Sequence, residues 1–277
     1  MTDLPTLPLA DAINAIIAWM QFGLDGIFGP IKVVIEGADQ ILRDCLYGMP
    51  SYLMIAVAAA IMAYRRRYAA AVGVAVALAF IANLGLWRAA TDTLSLVTIA
   101  SLLSILLGIP AAVLIAENRA AKAIILPLLD YMQSTPAFVY LIPAVLFFGI
   151  GTVPGVIATA AFALPPVTRA LAVGLEQVPS AMIEAGTAFG ATRLQLIYKV
   201  KVPLARAYLY AGISQCIMMS LSMVVICALI GARGLGVEVV TALTQMNLAK
   251  GIESGIAVVM LALVLDTLCR PRERREV

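Results

Sequence analysis

The chain has 277 residues, 62% of them hydrophobic and 13% charged, with a formal net charge of +3 and a mean hydropathy of +1.00. Ordinary globular domains carry about 25% charged residues, so no soluble fold of this size hides so much apolar surface, and lipid is the solvent for most of it. There is no histidine, and four cysteines (Cys45, Cys216, Cys227, Cys269) are scattered without a CxxC pair. The usual neutral-pH base and haem ligand are therefore missing, and the cysteines read as small buried hydrophobes. No catalytic constellation and no metal-ligand set stands out, and no nucleic acid is expected as a partner.

The N-terminus, MTDLPTLPLADAIN, lacks the basic start of a cleaved signal peptide. From 12 to 46, apolar residues recur at helical spacing (Ile13, Ile16, Ile17, Met20, then Ile31, Val34, Ile35, Leu42), with Asn14, Gln21, Asp25, Glu36, Asp39 and Arg43 on the opposite faces. This predicts two amphipathic helices on the outer surface of a membrane or of a helix bundle, separated at Gly29-Pro30. A purely structural role is the simpler reading of this segment.

About 20 apolar residues are needed to cross a bilayer core. Seven stretches qualify: about 50–64, 69–87, 93–116, 123–149, 153–174, 204–230 and 252–268. The first is short and is flanked by Tyr47, Tyr52 and Tyr64, residues suited to the interface. Pro136 and Pro143 fall inside the fourth span, and Pro165 and Pro166 inside the fifth, which predicts kinked helices within a packed bundle. The fold class is thus an all-α integral membrane protein of about seven transmembrane helices with amphipathic N-terminal helices. Its parts are an extracytoplasmic segment 1–49, peripheral spans 50–87, a core 90–268 and a basic tail 269–277.

Lys and Arg placement sets the orientation. With the N-terminus outside, only Lys32, Arg43, Arg88, Arg233 and Lys250 of the nineteen basic residues fall on the outer side. The C-terminus and the loop 175–203 are then cytoplasmic.

That loop contains EAGTAFGATRLQLIYKVKVP at 184–203. Ser180 can cap a helix over 181–189, and Gly190 sits where a left-handed residue would end it. Thr192 caps a second helix with Gln195 in capping-box position, and Pro203 opens the next span. The product is a helix–Gly–helix elbow. Ala181, Ala185, Ala188 and Phe189 give it a small flat apolar face, and Glu184 with Arg193 supplies charges that fix register with a partner. The same pattern also suits an ordinary solvated inner loop.

The spacing of Glu184, Ala185, Gly190 and Pro203 resembles the EAA signature of ABC importer permeases. Gly186 replaces the usual second Ala, and Val200 and Val202 stand where Ile and Leu are usual. Residues 131–176, with STPAFVYLIPAVLFFGIGTVPG and FALPPVTRALAVGLEQVP, and 221–236 (LSMVVICALIGARGLG) are similar to permease subunits of glycine betaine/proline betaine (ProU-type) and choline importers.

The resemblance covers about 90–268 and implies a type I (MetI-like) permease core. It implies that Glu184, Ala185, Gly186, Ala188, Phe189, Gly190, Arg193 and Pro203 form the coupling elbow. It also implies a homodimer with two cytoplasmic ATPases and an extracytoplasmic binding protein in a bacterial inner membrane, importing a quaternary ammonium osmoprotectant. With nine residues after Leu268, the receptor is expected to be a separate protein. No G-x(4)-G-K-[ST] occurs, so the chain is not expected to be an enzyme, and ATP with its Mg ion is expected on the partner ATPase. The glycines 231, 234 and 236 read as a turn.

Asp130 is the intramembrane charge best placed for the translocation path, although pairing with an arginine or capping a helix is the plainer role. Arg169 and Glu176 share a helical face and read as a brace for the loop, while Asp266 sits four residues before Arg270 as a structural pair. Aromatic faces bind quaternary ammonium groups, and Tyr131, Phe138 and Tyr140 flank Ser134 and Pro136. Ser214, Met218 and Ser222 would add a weakly polar lining, although small residues in membrane helices also serve packing. The rivals are an ion-coupled secondary transporter, which would show more intramembrane charge and inverted repeats, an oxidoreductase subunit, and a membrane anchor for another complex.

Overall fold

The computed structural model describes residues 9–269, and the side chains from Phe28 onward. It is helical throughout, in the order α1 (Leu9–Gly48), α2 (Ser51–Tyr64), α3 (Tyr68–Asn83), α4 (Trp87–Glu117), α5 (Arg119–Ser134), α6 (Ala137–Phe148) and α7 (Thr152–Glu176). Then come α8 (Ser180–Ala188), α9 (Arg193–Leu196), a π-helical turn Ile197–Lys201, α10 (Val202–Leu204), α11 (Arg206–Ala228), α12 (Leu235–Thr244) and α13 (Leu248–Cys269). The helices α4, α7, α11 and α13 are each long and apolar enough to cross a bilayer alone. Two bent pairs bring the number of spans to as many as six, and α3, at 16 residues, is shorter.

The core is a trio, with α7 packed along both α4 and α11. Small residues make the close approach possible. A Cβ on Gly212 of α11 would lie 2.9 Å from Val167 Cα and 3.0 Å from Ala170 Cβ of α7, so only glycine fits this crossing. Buried hydroxyls tie the same helices together: Ser101 donates to Ser220 at 3.1 Å, and Ser104 donates to the Ala160 carbonyl at 2.8 Å.

The fourth expected span is not one kinked helix. The axes of α5 and α6 turn through 102° at the break. Pro136 has no N–H and holds Thr135 extended (φ −78°, ψ 128°). The hydroxyls of Ser134 and Thr135 both donate to the Tyr131 carbonyl, at 2.9 and 2.8 Å, sealing the end of α5.

Nor does Gly29-Pro30 divide the N-terminal segment, because α1 runs straight through it. Proline suits helical φ and here forfeits only the bond to the Gly26 carbonyl; residues 26, 29 and 30 are all exposed, so solvent can replace it. The orientation of α1 also differs from expectation. Asp39, assigned to the solvated face, is buried, accepting from Ser95 at 2.8 Å and pairing with Arg43 at 2.8 Å. Val33, Val34 and Ile41 face outward instead. Tyr47 donates to Asp92, so α1 is pinned at two points to the first turns of α4. The side chains of Ile13, Asn14, Gln21 and Asp25, and the whole basic tail from Arg270, lie outside the described residues.

Of the turn expected at Gly231, Gly234 and Gly236, the first two are in it with positive φ (83° and 129°), whereas Gly236 lies within the helix α12. The ten-residue helix α12, which follows it, has no counterpart in the sequence reading.

Candidate coupling elbow and translocation surface

The elbow takes its shape from bonds within itself. Helix α8 starts at Ser180 itself, with Pro179 in the N-cap position and no side-chain cap, so the expected Ser180 cap does not form. Proline's fixed φ suffices to launch the turn. At the other end Gly190 adopts φ +78°. Its N–H donates to Thr187 O at 2.9 Å, and that of Ala191 to Gly186 O at 3.1 Å. These are the two bonds of a Schellman motif.

Thr192 then forms a full capping box. Gln195 N–H donates to Thr192 Oγ1 at 3.4 Å, and Thr192 N–H to Gln195 Oε1 at 2.9 Å. Gly186, where the resemblance has a second Ala, faces α9: a Cβ there would sit 2.6 Å from Leu196 Cδ2, at the movable end of that side chain. Pro203 lies in the short α10, just after the π-helical turn.

The outer face of this elbow is open. Helix α8 has no buried residue, and Ala181, Glu184, Ala185, Ala188 and Arg193 are exposed. Phe189 is 92% exposed. So large an apolar ring in solvent, beside the exposed alanines of α8, makes this face a candidate docking surface.

One polar bond at the base joins the elbow to the bundle, and two more brace the end of α7 from which the loop departs. Lys201, on the π-helical turn, pairs with Glu117 at the end of α4. Lys122 of α5 pairs with Glu176 at the end of α7, 2.8 Å apart. Tyr208 at the start of α11 donates to Gln177. The sequence reading missed Lys201, Glu117, Lys122 and Tyr208, because each partner lies on another helix. The expected joint brace of Arg169 and Glu176 resolves into separate partners: Glu176 takes Lys122, and Arg169 takes Asp130.

The residues assigned to a translocation path fall on two surfaces. One surrounds the α5–α6 bend: Asp130, Tyr131, Ser134 and Pro136 are exposed, as is Phe138. Tyr140 is turned away from any shared aromatic cage, its hydroxyl donating to the Met132 carbonyl and its ring set edge-on to Phe162 at 5.9 Å. The other surface is an open groove of about 490 Å³ between α11 and α13, where Ser214 and Met218 meet Tyr210, Gln215 and Asp266. Ser214 donates to Asp266 at 3.0 Å, while the expected partner Arg270 lies outside the described residues. Ser222 is exposed and bonds the Met218 carbonyl at 3.1 Å.

At the opposite end of the bundle, a polar pocket of about 400 Å³ opens between α1 and the loops before α7 and α12. Lys32, Glu36, Asp39, Arg43 and Arg233 line it. The alternating acids and bases of residues 32–43 are the signal that marks it in the sequence.

No group of His, Cys, Asp and Glu among the described residues is arranged to hold a metal ion.

The geometry agrees with comparisons to known proteins. Residues 104–270 match the family described as binding-protein-dependent transport system inner membrane component. The chain is 41% identical to the glycine betaine transport system permease protein OpuAB of Bacillus subtilis, over 97% of this chain and 95% of that protein. It is 39% identical to the glycine betaine/proline betaine transport system permease protein ProW of Escherichia coli, over 94% of this chain and 76% of the relative. Its fold superposes on an inward-facing structure of the MetNI methionine ABC transporter with a TM-score of 0.61 at 21% identity, covering 67% of this chain and 92% of that one. An all-helical bundle with a projecting two-helix elbow, matched over most of its length by such relatives, belongs to the binding-protein-dependent transport system inner membrane component family, the membrane-embedded permeases of ABC importers.

Proposed function

We propose that this chain forms the translocation path of an ATP-driven importer for a quaternary ammonium compatible solute of the glycine betaine and proline betaine class. Two copies would enclose the path. Two ATPases on the cytoplasmic side would grip one elbow each, with ATP and Mg held by those subunits, and a separate receptor would deliver solute at the opposite end. The observation that carries the coupling role is the elbow: a locally capped pair of helices with Phe189 fully presented, tied through Lys201 to the end of α4 and leaving the bundle from an end of α7 that Lys122 of α5 and Tyr208 of α11 brace. Motion imposed on the elbow would reach α4 through Lys201 and α7 through the chain that joins it to α8.

The excess of Lys and Arg at the elbow end supports a cytoplasmic placement for it, with the N-terminus outside and the C-terminus inside. The polar pocket beside α1 then faces outward, where a receptor would dock. The names of the relatives support the solute class.

Purification of the complex with its ATPase and receptor, followed by uptake of radiolabelled betaine into proteoliposomes, tests the reading. Glu184→Lys should leave insertion and dimer formation intact while uptake falls at least tenfold. Normal ATP-driven uptake by that variant removes the elbow from the coupling role. Uptake driven by an ion gradient without any ATPase would overturn the importer reading altogether.

A further inference from the structure

We propose that the ion pair between Asp130 and Arg169 is a subsite for a short zwitterion, the solute's carboxylate taking Arg169 while its cationic end takes Asp130 and the ring of Tyr131. The proposal rests on the transport reading and adds to it where, and by what exchange, the solute is held.

Depth comes first. Lys122 pairs with Glu176, and Asp130 pairs with Arg169. The first partners are eight residues apart on α5 and the second seven apart on α7, so the two helices run antiparallel side by side. At 1.5 Å per residue, the Asp130 pair lies about 10 Å further into the bundle than the Lys122 pair.

Exposure comes next. The side chain of Asp130 is 66% exposed and that of Arg169 32%, although α7 is a spanning helix. Gln133 and Ser134 are exposed with Asp130, and Tyr131 is 70% exposed, while Leu129 on the other face is buried. A helix with an open carboxylate, amide and hydroxyl at this depth does not turn that face to hydrocarbon. It lines water or a second copy.

The third observation is an unused donor. Arg169 pairs through Nη2, and its Nε is buried with no hydrogen-bond partner among the described residues. A carboxylate set side-on across Nε and Nη2 is the geometry that guanidinium groups favour. To receive it, the arginine must turn away from Asp130, and that movement is the exchange itself. Asp130 is then left facing the trimethylammonium group, with Tyr131 beside it to add a cation–π contact.

Charge is balanced before and after. The resting pair gives way to two pairs with the zwitterion, so neither protein charge is left without a partner. A solute without a carboxylate would free Arg169 and give it nothing. The subsite thus favours zwitterions over simple cations, and the re-forming internal pair expels the solute.

The test is carried out on the assembled permease, ATPase and receptor in liposomes, with trimethylglycine as the probe and uptake per ATP hydrolysed as the readout. Arg169→Lys keeps the charge and loses the fork. We expect at least a tenfold fall in uptake per ATP, with receptor-stimulated ATP hydrolysis and thermal stability retained. The exchange Asp130→Arg with Arg169→Asp restores an ion pair of reversed sense, and we expect assembly to recover but uptake to stay below a tenth. Full uptake by the exchanged protein, or by Arg169→Lys, makes the pair a brace and overturns the proposal. Should the exchanged protein not assemble, Arg169→Lys decides alone. A wild-type complex that takes up no trimethylglycine defeats the transport reading itself, a result visible before any variant is made.

Discussion

The elbow and α1 are both polar stretches attached to an apolar bundle, and they are held in opposite ways. Apart from the Lys201–Glu117 pair at its base, the elbow is shaped by bonds that span five residues or fewer: Ala191 to Gly186, Gly190 to Thr187, Thr192 with Gln195. Helix α1 is held from a distance, Asp39 by a serine 56 residues away and Tyr47 by an aspartate 45 residues away. A segment shaped by local bonds stays rigid while projecting into solvent, which suits a lever gripped by another protein. A segment shaped by distant bonds keeps its place only while the bundle end beneath it is intact, which suits a clasp.

The largest expected effect comes from breaking the clasp. Asp39→Ala strands Arg43, whose side chain is 19% exposed, and removes the acceptor of Ser95. Loss of one partner of a nearly buried pair costs about 2–3 kcal/mol after allowing for the partly wet arginine. The unfolding midpoint of the purified protein should fall by several degrees, and the further change Arg43→Ala should recover part of the loss. An unmoved midpoint would show that Asp39 is not buried. The same variant should still bind the ATPase, because nothing in the elbow touches α1.

Next in size is strain at the lever's joint. Gly190→Val places a β-branched residue at φ +78°, at a cost of about 1–2 kcal/mol. Because α8 buries no side chain, the cost falls on the elbow and the bundle's midpoint should hardly move. Uptake per ATP should drop several-fold. A large loss of thermal stability with coupling intact would reverse the assignment of roles to the two regions.

Between them stands Lys201→Ala, which severs the elbow from α4 and leaves Glu117 unpaired. With side chains 15% and 23% exposed, this pair is worth about 1–2 kcal/mol. Here stability and coupling should fall together, and a loss of only one of them would show that the bond does not join the two.

What could be read from the sequence follows the same division. Gly190, Thr192 and Gln195 were legible because their chemistry acts within one or two turns, and the capping box forms as the spacing predicts. The spans were legible because hydropathy is summed over a window of neighbours. The burial of Asp39 was not, since it is decided by Ser95 on another helix, and a sequence pattern counts an aspartate as solvated. The break at Pro136 read as a kink. The 102° turn arises because Thr135 is extended before Pro136, with the hydroxyls of Ser134 and Thr135 closing the last carbonyl of α5, a choice the residues permit without requiring. Arg169 and Glu176 were seen as neighbours on one face; the identity of their partners, Asp130 and Lys122, depends on how α5 packs.

The smallest effect sharpens the comparison most, because it touches nothing beyond one turn. Thr192→Ala removes the oxygen that accepts Gln195 N–H while leaving the exposed face of α8 unchanged. Loss of such a cap costs about 1 kcal/mol, which is roughly a fivefold rise in local opening. Amide exchange over Arg193–Leu196 should quicken by that factor, with exchange in α7 and α11 unchanged. If the elbow is a lever, its stiffness matters even when its surface is intact, so uptake should decline modestly at full ATPase binding. Exchange that quickens throughout the bundle would mean that the elbow's order depends on the core after all, and the division between local and distant control would fail.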